Sequence, residues 1–134
     1  MRLLLAFLVQ LVYLNFYLKI YFMKDYQLQK IFRLIGLAQR AGKLAPGRFA
    51  VTKSVKQAKA QLIIFSVDAS EKLQKEISGL AAGVKIVHLS TKNELGSVLG
   101  RNELAVLAVS DKNFAVEIGR LINQYSSDDE PFRF

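Results

Sequence analysis

From Gln27 onward, apolar stretches with helical spacing alternate with short runs that are apolar throughout, and this alternation restricts the fold more than any other feature. Leu28, Ile31, Phe32, Ile35 and Ala38 recur at i, i+3, i+4, i+7 and i+10, the stripe of a core-facing helix, with Gly42 as its stop signal. Leu44 and Ala45 are expected to be extended, because the residue before Pro46 avoids the helical region. Gly47 then opens a second helix that buries Val51, Val55 and Ala58. Residues 61–66 form a continuous apolar run of strand length, as in a strand covered on both faces. Asp68 is the expected N-cap of a third helix, with Glu71 reaching back and Leu73, Ile77 and Leu80 facing inward, and Gly83 ends it. Val84, Ile86, Val87 and Leu89 make another strand. Thr91 and Glu94 form a capping box for a short helix carrying Leu95, Val98 and Leu99, stopped by Gly100. Residues 104–109 read as a further apolar strand, and Asp111 caps a last helix that buries Phe114, Ile118, Leu121 and Ile122. Such alternation predicts an α/β fold: a largely parallel or mixed sheet with helices on both sides, a three-layer α/β/α sandwich.

Residues 1–22 differ in kind, having no acidic residue, glycine or proline, and only Arg2, Gln10, Asn15 and Lys19 interrupt the apolar run. A membrane-spanning helix needs about 20 apolar residues, and residues 3–22 suffice if Gln10, Asn15 and Lys19 are tolerated. A cleaved signal peptide needs a small-residue site, which residues 20–24 lack. A third reading, placed first, starts the protein at Met23, where the composition changes. The expected division is an apolar extension over 1–22, one domain over 23–125, and an acidic, frayed tail over 126–134. The alternative function that follows from the extension is a membrane-tethered interaction module.

The charge is uneven. Nineteen Lys and Arg against eleven Asp and Glu give +8, and residues 24–59 hold nine basic residues and one acidic, Asp25. A block of this kind attracts a polyanion, either nucleic acid or an anionic membrane, unless it is simply a solvated face. With no cysteine, disulfides and thiolate chemistry are excluded. His88 is the only histidine and has no second ligand type near it in sequence, which reads as structural rather than metal-binding. Asp68 and Asp111 follow strands, where α/β enzymes place carboxylates, but capping accounts for both. No phosphate-loop or dinucleotide fingerprint occurs.

The start of the second helix is the strongest local candidate for a site. Unpaired backbone N–H groups and the positive end of the helix dipole make Gly47 and Arg48 a natural phosphate cradle. Glycine also lets the backbone of a polyanion approach closely. Lys53 and Lys56 lie one turn apart on a face with Phe49, whose ring could stack on an unstacked base or pack against the first helix. Arg40 and Lys43, just ahead of the Pro-Gly turn, extend the basic surface or interact with the end of the first helix.

Leu34-Ile-Gly-Leu-Ala-Gln-Arg-Ala-Gly-Lys43, Pro46-Gly47, Lys53, Lys59-Ala-Gln-Leu-Ile-Ile, Asp68-Ala-Ser70, Glu94-Leu-Gly96, Gly100 and Ser110-Asp-Lys-Asn-Phe-Ala115 occur in this order. The pattern resembles the kink-turn-binding ribosomal proteins shared by archaea and eukaryotes, and most closely their small bacterial YlxQ-like relatives. The resemblance implies a four-stranded mixed sheet, no enzymatic activity, no cofactor, and binding to structured RNA, either a kink-turn or ribosomal RNA. It implies RNA contacts at 47–53, 68–70 and 100–103, and so brings in Asp68, Ser70, Gly100, Arg101 and Asn102. A cytoplasmic monomer without a small-molecule substrate is the corresponding expectation. Where kink-turn readers carry Gly-x-Asn-Glu-x-x-Lys, this chain has Gly47-Arg-Phe-Ala-Val-Thr-Lys53. The glycine and lysine remain, while Phe49 and Ala50 replace the groups that would read base edges, so contact mainly through the RNA backbone is expected.

Overall fold

The computed structural model describes residues 2–127. Its elements in chain order are α1 (Arg2–Arg40), β1 (Leu44–Pro46), α2 (Arg48–Lys56), β2 (Leu62–Phe65), α3 (Glu71–Leu80), β3 (Lys85–His88), α4 (Lys92–Val98), β4 (Val106–Val109) and α5 (Lys112–Ser127). One mixed sheet has the order β1-β4-β2-β3, with β2 parallel to β3 and β4 antiparallel to both β1 and β2.

The two central strands are the two apolar runs. Every residue of β2 and β4 is buried, because helices cover both faces. Since successive side chains of a strand point to opposite faces, Leu62 and Ile64 join Ile31, Ile35, Leu95, Ile118 and Ile122 beneath α1, α4 and α5. Ile63 and Phe65 join Val51 and Ile77 beneath α2 and α3. Each large aliphatic side chain buried this way contributes roughly 1.5–3 kcal/mol relative to exposure. The expected three-layer sandwich is therefore present, with α1, α4 and α5 on one face and α2 and α3 on the other.

The first helix runs farther than its core stripe requires. α1 continues unbroken through Met23 to Arg2, since no proline and no glycine before Gly36 interrupts it. It ends as expected at Gly42, whose φ of +71° lets the Lys43 N–H turn back to the Ala38 carbonyl at 2.9 Å. Two predicted caps are also present. The Phe114 N–H donates to Asp111 Oδ1 (3.0 Å), and the Glu94 N–H donates to Thr91 Oγ1 (3.2 Å).

Several expectations are corrected. Ser70, not Asp68, caps α3, its hydroxyl accepting from the Leu73 N–H at 3.2 Å. Asp68 Oδ1 instead accepts from the backbone N–H of Lys92 (2.9 Å), at the start of α4. The cause is the turn after β2: the Val67 N–H bonds to the Ser90 carbonyl (2.7 Å), so Asp68 faces α4 and α3 begins three residues later. α2 ends at Lys56, which leaves Ala58 exposed in a left-handed conformation (φ +56°) instead of buried. Leu80, the last residue of α3, is exposed. Of the expected tail, Ser126 and Ser127 belong to α5, and residues 128–134 lie outside the described residues.

Candidate nucleic-acid interface

The strand registers gather three of the candidate segments at one end of the sheet. Pro46 pairs with Leu107, Phe65 with Val106, and Phe65 with His88. The segments leaving β1, β2 and β3 and the one entering β4 therefore emerge at the same end. They hold Gly47, Asp68 to Ser70, Ser90 to Lys92, and Gly100 to Glu103.

Gly47 is the N-cap of α2, with φ 92° and ψ 165°, a region open essentially only to glycine. Its N–H bonds to the Val106 carbonyl (2.9 Å), tying the helix start to β4. A Cβ on Gly47 would lie 3.7 Å from Arg101 Nη1, so a guanidinium from the α4–β4 loop sits beside the open amino end of α2. That loop is held by Gly96: the Arg101 N–H donates to the Gly96 carbonyl at 2.7 Å, and a Cβ on Gly96 would meet the backbone of Arg101 and Glu103 at 2.9 Å. Gly100 turns the chain there at φ +70°, and Asn102 is exposed beside it. The third segment is joined to this end by the Asp68–Lys92 bond. The Ser66 hydroxyl, together with the Lys92 N–H and charge, holds the Asp68 carboxyl below its usual range.

From Gly47 the outer face of α2 carries Phe49, Thr52, Lys53 and Lys56, with Glu76 of α3 opposite, around a shallow hollow of about 530 Å³. Phe49 is 88% exposed, so its ring does not pack against α1, which lies across the sheet. Arg48 turns sideways along this hollow. Its Nε and Nη2 donate to Glu76 Oε1 at 3.1 and 2.7 Å, so half of the anticipated Gly47–Arg48 cradle is engaged elsewhere. Lys53 and Lys56 remain exposed on the surface.

Arg40 and Lys43 are not brought to this site. They precede Leu44, which pairs with Val109 at the opposite end of the sheet, where the Lys43 carbonyl accepts from the Ser110 N–H (2.9 Å). The basic block is thus split between two ends of the molecule. Sequence reasoning missed the Arg48–Glu76 pair, because α2 and α3 become neighbours only through packing. It also missed Ser90, which takes φ +57° where β3 turns toward α4. His88 Nε2 lies 2.9 Å from Gln74 Oε1, and its ring stacks on Phe65 with centroids 5.8 Å apart. Among the described residues no group of three or more His, Asp or Glu side chains is arranged to hold a metal ion.

Residues 29–118, which include the three converging segments, match the Ribosomal protein L7Ae/L30e/S12e/Gadd45 family. The chain belongs to that family. It is 31% identical over 94 residues to the RNA-binding protein YlxQ of Bacillus subtilis, a match covering 69% of this chain and 94% of that one. It is 30% identical over 96 residues to the RNA-binding protein YlxQ of Enterococcus faecium, covering 70% and 92% respectively. Among solved structures, a Bacillus halodurans protein described as of unknown function aligns with a TM-score of 0.66 at 29% identity, over 70% of this chain and 97% of that one. The Giardia lamblia 15.5kD RNA binding protein aligns with a TM-score of 0.58 at 16% identity, over 77% and 90%, and so shares the fold. The family match begins only at residue 29, so most of the exposed part of α1 precedes it.

Proposed function

We propose that this protein binds structured RNA without catalysing a reaction, holding it mainly by its phosphates at the end of the sheet where α2 begins. The observation that carries this reading is the approach of Arg101 to Gly47, 3.7 Å from a notional Cβ. It sets a guanidinium beside the free N–H groups of a helix start, next to the exposed Lys53 and Lys56. Membership of a family whose YlxQ relatives are named RNA-binding proteins agrees with it. Ribosomal RNA and kink-turn RNA are the candidate ligands. With Phe49 and Ala50 at the helix start, base edges meet an aromatic ring and a methyl group, so stacking replaces hydrogen-bonded reading there.

Titration with a kink-turn RNA and with a plain duplex at several salt concentrations tests the proposal. Log affinity should fall steeply with log salt, and Lys53→Ala should flatten that slope by about one phosphate contact. Arg40→Ala and Lys43→Ala, at the far end of the sheet, should leave it unchanged. Phe49→Ala should lose roughly 1–3 kcal/mol on an RNA with an unstacked base and nothing on the duplex. Absence of binding to either RNA at low salt would overturn the reading.

A further inference from the structure

The exposed half of α1 is apolar around its whole circumference. Leu3, Leu4 and Leu5 are all exposed, as are Phe7, Leu8, Val9, Leu11, Val12 and Leu14, and neighbours in a helix point about 100° apart. A helix that pairs with a second copy of itself shows one apolar seam with polar residues elsewhere. One that is apolar on all sides is covered by a protein core or by lipid, and no part of the described domain covers this one. Residues 3–22 rise about 30 Å at 1.5 Å per residue, the thickness of a bilayer's hydrocarbon core.

The flanks agree with that length. Lys19 is the single charge between residues 3 and 22, and it lies three residues from the domain side, where a long side chain reaches the headgroups. Tyr17, Tyr21 and Tyr26 cluster at that boundary, as interfacial aromatic residues do. Lys24, Lys30 and Arg33 follow the span on the domain side. Basic residues close behind a span favour the cytoplasmic side for the segment that carries them.

We propose that residues 3–22 of α1 span a lipid bilayer, the unbroken helix entering the domain from the end of the sheet that bears Gly47, Asp68 and Arg101. The orientation follows from the topology. α1 finishes at Arg40, at the opposite end of the sheet, so it enters the domain from the Gly47 end. Lys24 lies over the ring of Tyr125, 5.1 Å from its centroid, near the C-terminus of α5, and α5 starts just after β4 and runs back to that same end. Downstream, Ile31, Ile35 and Ala38 are fully buried, and no helix-breaking residue lies between the span and this anchorage, so span and domain move as one body. This inference does not depend on RNA binding.

The test uses the full chain with a C-terminal tag, expressed in bacteria. Membranes washed in alkaline carbonate should retain it, and it should float with liposomes of neutral phosphatidylcholine after detergent removal. Leu8→Arg combined with Leu11→Arg, both far from the core, should cut the retained fraction at least about tenfold, while Gln10→Leu should preserve it. Release by carbonate, a soluble dimer needing no detergent, or a native amino terminus at Met23 or beyond would each overturn the proposal.

Discussion

Arg101 lies beside Gly47 close enough to touch a side chain there, yet a methyl group would fit: the Nη1 contact would be an ordinary 3.7 Å. What forbids alanine is the backbone, at φ 92° and ψ 165°. Gly47→Ala is therefore expected to cost about 1–3 kcal/mol through strain. Adding Arg101→Ala should not restore the loss. Urea denaturation of the single and double variants distinguishes strain from crowding.

Gly96 presents the opposite case. Its Cβ would collide at 2.9 Å with the Arg101 carbonyl and with Glu103 N and Cα, all backbone atoms that cannot swing aside. Gly96→Ala should destabilise by roughly 1–3 kcal/mol and weaken RNA binding as well, because the loop carrying Arg101 is displaced. Arg101→Ala should weaken binding while leaving the urea midpoint nearly unchanged.

The Arg48–Glu76 pair is exposed, with side-chain accessibilities of 54% and 34%. Surface pairs of this kind contribute about 0–1 kcal/mol, so Glu76→Gln should scarcely move stability. It should free the Arg48 guanidinium at the start of α2. Tighter RNA binding is expected, with a salt slope steeper by up to about one contact. A slope unchanged by Glu76→Gln would place Arg48 outside the interface.

Asp68 gives a pH signature. Its carboxyl is held below the usual 3.8, first by Ser66 and then by the N–H and charge of Lys92. The unfolded chain thus takes up this proton more readily than the folded one. The stabilisation is complete above pH 3.8 and is lost as the pH falls through the lower folded value. Asp68→Asn keeps an acceptor for the Lys92 N–H but removes the charge. Its stability should fall less than the wild type's between pH 5 and the acid range, measured by urea unfolding at each pH.

Much of the fold was legible in local chemistry. Runs such as 61–66 and 104–109 have no polar face to turn to water, which identifies β2 and β4 as central strands. Thr91 and Asp111 cap the helices that immediately follow, so sequence distance and spatial distance coincide. Asp68 was misjudged because its partner lies 24 residues away on α4, across a turn whose geometry depends on Ser90. The site was half legible for the same reason. Gly47 and Lys53 carry their own signal, whereas the approach of Arg101 depends on the packing of Gly96. The sideways turn of Arg48 depends on α3 lying next to α2. Arg40 and Lys43 looked contiguous with Gly47, but the three residues of β1 carry them to the other end of the sheet.

The strand order has a consequence for synthesis. β4 lies inside the sheet between β1 and β2 but is the last strand in the chain. A nascent polypeptide can pair β2 with β3 as soon as His88 has emerged, while β1 has no neighbour until residues 106–109 appear. Until then the apolar edge of β2 stays open, and premature termination before Val106 would leave a template for intermolecular association. Closure of the domain is therefore a late, long-range event that joins residue 44 to residue 109.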